Sequence, residues 1–253
     1  MTSLDHLLVF VLVVLVPLQG WSEIRSLIAA LRRGDAWARS QALLGTIALQ
    51  WTLALALLAG WQTGRRDWAA LGLTLPGGWR AALGVAAVAA TAWLVWKQER
   101  SVARLDPERR RRLRERSGDG MLLLPTTRTE QRIFAATAVT AGVCEELLCR
   151  GFLFWYLSRW LGPWVVVIAA SIPFGLAHIY QGTKGAVKTG VVALFVGALY
   201  VGSGSLIWPM IVHAMIDLGA GRLGPLLAAP STRPEDSCTG EAASPLTGCT
   251  DAR

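Results

Sequence analysis

Six side chains in this sequence are placed to do chemistry together: Glu145, Glu146, Arg150, His178, His213 and Asp217. The first three lie in CEELLCRGF (Cys144–Phe152), inside an otherwise uncharged stretch, and the others in PFGLAH and HAMID. The chain has three histidines, and two of them are in this set; His6 stands at the N-terminus. Carboxylates and imidazoles together make a water-activating group. A glutamate in a low-dielectric pocket suits a general base. Imidazoles either bind Zn²⁺ or another divalent metal, or polarise a carbonyl and its developing oxyanion. Amide hydrolysis needs both functions.

Spacing sorts the six. Glu146 and Arg150 are four apart, so on a helix they share a face and can pair, which offsets part of the cost of burying either. Glu145 sits about 100° further round and is left as the freer carboxylate. His213 and Asp217 are also four apart, so Asp217 can hydrogen-bond the imidazole and hold its tautomer, or bind the same ion. Pro173 and Gly175 allow a kink close to His178. The HExxH spacing of the common zinc-protease helix is absent, and no serine lies in a GxSxG elbow. Cys144 and Cys149 diverge on one helix and read as small packing residues, not a disulfide, and Cys238 and Cys249 lie in a polar tail. Gly190, Gly197 and Gly202 read as close-contact positions between helices.

The elements that must carry these groups are membrane helices. Of 253 residues 53% are hydrophobic, and the mean hydropathy is +0.42. Ser40–Gly64 and Trp160–Thr183 carry no acidic residue, Lys or Arg, and about 20 apolar residues span a bilayer as helix. The fold class expected is all-α, a polytopic transmembrane bundle. Seven spans are read at Leu7–Trp21, Gln41–Trp61, Ala81–Trp96, Ile133–Leu157, Gly162–Tyr180, Gly185–Val201 and Leu206–Gly221. An eighth, at Ser26–Leu31 or around Leu122, is the alternative. The Gly-Ser-Gly-Ser at Gly202–Ser205 divides the last two, and tryptophans near the span ends suit an interfacial belt. All six chemical groups fall on the last four spans, where each buried charge costs about 2.5–3.5 kcal/mol and points to function.

The formal charge of +8 is concentrated: 11 of 25 basic residues lie between Lys97 and Arg132. No aromatic interleaves with the arginines Arg109–Arg116, so a nucleic-acid partner is not expected. Basic loops face the cytoplasm and meet anionic headgroups. With the N-terminus outside, cytoplasmic connections hold 17 basic residues and the opposite ones 4, which favours N-out, C-in for seven spans. The start MTSLDH lacks the basic residues of a signal peptide, so the first span is read as uncleaved. Three regions are expected: 1–130, holding spans one to three and a basic cytoplasmic loop at 97–131; a core at 132–222 with spans four to seven; and a disordered cytoplasmic tail at 223–253.

EELLCR, FGLAH and HAMID fit EExxxR, FxxxH and HxxxD in that order. In this they resemble the CAAX-protease and bacteriocin-processing family of intramembrane proteases (CPBP, or Abi), to which type II CAAX prenyl endopeptidases belong. The resemblance covers about Arg132 to Gly221. It implies an intramembrane endopeptidase acting on a membrane-associated protein or peptide. It implies that Glu145 activates water, that Glu146 and Arg150 support the site, and that His178, His213 and Asp217, with Glu145, bind a metal or stabilise the oxyanion. Asp217 departs from the Asn of eukaryotic CAAX enzymes and favours metal binding. The Ala-, Arg- and Trp-rich composition suggests a GC-rich bacterium, hence an inner-membrane protein, and argues against a prenylated natural substrate. The rival reading is a non-catalytic bacteriocin-immunity or membrane scaffold protein. An ion carrier would show repeats, and none is seen. The sequence leaves the oligomeric state open.

Overall fold

In lipid every backbone N–H and C=O must be satisfied within its own segment, so uncharged apolar runs fold as helices. The computed structural model describes residues 1–117 and 122–228, and every regular element in them is helical. Helix α1 is Ser3–Arg32, α2 Ala38–Thr63, α3 Gly78–Ala103 and α4 Pro107–Ser117. Residues 128–157 form α5, made of Arg128–Glu146, a wider π-type segment Leu147–Leu153, and Phe154–Leu157. Then come α6 (Pro163–Ala177), α7 (Gly182–Ser203) and α8 (Ile207–Ala228).

Each expected span maps onto one of these helices. Among the described residues five stretches are long and apolar enough to cross a membrane: α1, α2, α3, Ile179–Ser203 around α7, and Ile207–Leu227 of α8. Helix α6 has 15 residues; at 1.5 Å per residue it rises about 22 Å, short of the roughly 30 Å hydrocarbon core. Neither position considered for an eighth span is a separate helix. Ser26–Leu31 is the end of α1, and residues 122–124 are a short turn.

Hydropathy marks apolar runs, whereas helices stop at caps, and the boundaries differ accordingly. Helix α1 runs on to Arg32 through good helix formers. Within the basic connection α3 continues to Ala103, and the arginine run folds as α4, braced by Arg112–Glu108 and by Arg111–Glu115 at 3.0 Å. Helix α8 continues through Pro225 to Ala228, into the region read as tail. Residues 229–253, including Cys238 and Cys249, lie outside the described residues.

Helix α5 packs on α2 and α8, α6 on α7, and α8 on α3. Glycines permit the closest approaches. A Cβ on Gly142 would lie 2.8 Å from both Met210 O and Ala214 Cβ, so α8 passes α5 backbone to backbone one turn before Glu145. A Cβ on Gly175 would lie 3.1 Å from Gly190 Cα, which is the close contact expected at Gly190. The break at Gly202–Ser205 is present: Gly204 has φ +68 and closes α7. Its carbonyl accepts from Thr74 Oγ1 at 2.7 Å, and Ser205 Oγ donates to Thr74 O at 2.6 Å.

Helices α2 and α5 are locked where α5 begins, ahead of the apolar run from Ile133. Thr127 and Glu130 form a capping box. Glu130 accepts from the backbone N–H groups of Thr126 (2.8 Å) and Thr127 (3.0 Å) and pairs with Arg39. Arg39 also donates to Leu122 O at 2.8 and 3.0 Å. Burial pushes the Glu130 carboxyl up, but the two N–H groups, the Thr126 hydroxyl and Arg39 outweigh it and hold the group down at about 2. Because the folded-state value is depressed, the contribution is complete above the ordinary glutamate value of 4.5 and is lost as pH falls toward about 2. Thermal denaturation of wild type and Glu130→Gln should therefore differ at neutral pH and converge across that window. A gap that stays constant down to pH 2 would contradict this.

Candidate active site

Five of the six groups identified in the sequence converge from α5 and α8. Helix α5 is regular as far as Glu146, then widens into the π-type segment that holds Arg150. The sequence reading treats this as unbroken α-helix, and wider turns of this kind recur at functional sites. The pairing survives: Arg150 NH1 donates to Glu146 Oε1 at 2.9 Å, with Glu146 fully buried and Arg150 2% exposed. Arg150 NH2 donates to Ala193 O at 3.3 Å, and its guanidinium lies 4.4 Å from the centre of the Phe174 ring.

The same Glu146 oxygen is 2.7 Å from His213 Nδ1. That oxygen belongs to a carboxylate already accepting from Arg150, so Nδ1 carries the hydrogen and donates. The result is a chain, Arg150–Glu146–His213, that sets the imidazole's orientation and leaves Nε2 for other partners. Nε2 lies 3.5 Å from Asp217 Oδ2 and 3.9 Å from Glu145 Oε2. Glu145 Oε2 is buried and has no protein donor.

His178 comes from a different direction. It caps the C-terminus of α6, one turn after Phe174, and its Nδ1 lies 2.8 Å from Phe174 O. A carbonyl only accepts, so Nδ1–H donates and Nε2 is the atom left for chemistry. The Phe174 ring joins the groups, with its centroid 4.9 Å from that of His178 and 6.0 Å from that of His213. His178 and Asp217 both lie within electrostatic reach of Glu145.

The expected metal set of His178, His213, Asp217 and Glu145 is not assembled. Among the described residues no group of three or more His, Cys, Asp or Glu side chains has metal-ligand geometry. His213 Nδ1 is committed to Glu146, and no carboxylate of the described residues pairs with His178. What the geometry offers is a base with one unpaired oxygen beside an oriented imidazole. Cys144 and Cys149 are free thiols, as their spacing implies.

One residue of the site went unread in the sequence. Gln50, on α2, donates from Nε2 to Glu145 Oε1 at 2.6 Å and is 9% exposed. A signal existed: Gln50 is the one amide in the interior of the Ser40–Gly64 run, since Gln41 and Gln62 sit at its ends.

The family model described as type II CAAX prenyl endopeptidase, Rce1-like, matches residues 130–219. Over that segment the chain is similar to an Rce1-like domain. It runs from the Glu130 cap to the turn after Asp217 and contains all six groups; Gln50 lies outside it. The likeness is to a CAAX-type protease family, and the apolar helices make this an integral membrane protein. No curated protein and no solved structure matches the chain.

Proposed function

We propose that this protein is an intramembrane endopeptidase that hydrolyses a peptide bond of a membrane-associated protein or peptide. The observation that carries the reading is the meeting of Glu145 Oε2, His213 Nε2 and Asp217 Oδ2, with both nitrogen–oxygen separations under 4 Å. A buried carboxylate oxygen without a donor is placed to take a proton. In the reaction Glu145 removes one proton from water as the water oxygen attacks the carbonyl carbon. The same proton goes to the leaving nitrogen when the C–N bond breaks. The charge that develops on the carbonyl oxygen is met by the imidazole of His178 or His213, a preorganised group that is effective in a water-poor site. Arg150 and Glu146 act through His213 by holding its ring, and Asp217 supports the same ring. No step passes through a metal.

The positive-inside count supports an N-terminus outside with the basic helix α4 cytoplasmic, and the Ala-, Arg- and Trp-rich composition supports a bacterial inner membrane. The test compares the membrane proteomes of wild-type cells and cells carrying Glu145→Ala at equal abundance. One or more membrane-associated proteins should accumulate uncleaved in the variant. Identical proteomes, with both proteins folded in the membrane, would favour a scaffold.

A further inference from the structure

Gln50 belongs to the half of the chain that the family model leaves unmatched, yet its amide makes the one hydrogen bond that the Glu145 side chain receives among the described residues. Helix α2 has no need of this bond to stay on α5. The Arg39–Glu130 pair ties the two helices at one end, and Trp51 Nε1 donates to Thr140 Oγ1 at 3.3 Å beside the site. As helix glue Gln50 is also a poor choice, because its Oε1 is buried without a donor and an unpaired buried acceptor is costly. Its placement makes sense for the carboxylate. A 2.6 Å bond to Oε1 pins one oxygen and thereby turns the other, Oε2, toward His213 Nε2.

We infer that Gln50 is a positioning residue for Glu145, so that the hydrolytic site is completed by helix α2 from outside the Rce1-like domain. This rests on the endopeptidase reading above. Glu145 has flexible torsions and one unpaired oxygen. Without the amide its carboxylate samples other orientations, and each departure from the attack geometry slows the reaction without altering how substrate is held. Loss of a partner that orients a reacting group costs about 10–100-fold in rate.

The variant is Gln50→Met, which preserves length and volume and removes both the donor and the acceptor. The probe is a fluorogenic peptide built on the cleavage site of a protein that accumulates in the Glu145→Ala strain. Full-length protein in lipid nanodiscs is assayed, with thermal denaturation run on the same samples. Gln50→Met should lower kcat about 10–100-fold, leave KM within about twofold, and denature near the wild-type temperature. Gln50→Asn keeps the amide but is one methylene too short to reach, so it should fall with Gln50→Met. Wild-type kcat in Gln50→Met overturns the proposal while the protease reading stands. A loss of kcat matched by a large fall in denaturation temperature assigns Gln50 to structure and also overturns it. If no protein accumulates in the Glu145→Ala strain, the endopeptidase reading fails and takes this proposal with it.

Discussion

The Glu145→Gln protein is expected to fold normally and to turn substrate over about 10²–10⁴-fold more slowly than wild type, the range that a positioned general base contributes. The change is isosteric. The replacement's amide oxygen can still accept from Gln50 Nε2, so the α2–α5 contact is retained and the denaturation temperature should hold. What is lost is the buried carboxylate oxygen that faces His213 Nε2 at 3.9 Å. The neighbouring carboxylates are engaged differently: Glu146 Oε1 accepts from Arg150 and His213, and Asp217 Oδ2 lies 3.5 Å from His213 Nε2. The measurement is a rate on the accumulated substrate, with thermal denaturation as the control. Wild-type turnover by a folded Glu145→Gln protein would remove Glu145 from the base role.

The second large effect is on stability. Arg150→Met should destabilise the protein by about 3–5 kcal/mol, the usual consequence of leaving one member of a buried ion pair alone. Glu146 is completely buried and Arg150 nearly so, which removes solvent as a substitute partner. Arg150→Lys should lose less, because the charge remains, but an ammonium cannot span Glu146 Oε1 and Ala193 O as the guanidinium fork does. The double variant Glu146→Gln/Arg150→Met separates the two functions of the pair. With no charge left unpaired its stability should recover much of the loss. Its activity should not recover, since His213 Nδ1 no longer has a carboxylate to orient it. Denaturation temperatures of the three variants in detergent or nanodiscs, beside their rates, decide it. Recovery of both stability and rate in the double variant would reduce Arg150–Glu146 to packing.

Much of the site was legible because short-range helix geometry carries far in sequence. The four-residue intervals Glu146–Arg150 and His213–Asp217 are contacts that any near-helical backbone makes, and both are present even though a π-type segment widens the first. Charges in uncharged apolar runs stand out because lipid penalises them. The same penalty made an amide easy to overlook. Gln50 carries no charge, so only its being the one amide in the interior of the Ser40–Gly64 run set it apart.

The sequence by itself determined the solvent and the parts. Long apolar runs require helices in lipid, and six ionisable groups on the last four of those runs require partners. Which groups become partners was decided by the tertiary structure alone. Glu146 turned out to serve two helices at once, because α8 crosses α5 at Gly142 closely enough to bring His213 to the oxygen that Arg150 already holds. His178, on a short helix ended by its own cap, makes no ion pair with a carboxylate among the described residues. Interhelical distance depends on how side chains and missing side chains pack at each crossing, and residues 95 positions apart, such as Gln50 and Glu145, have no spacing from which it can be read.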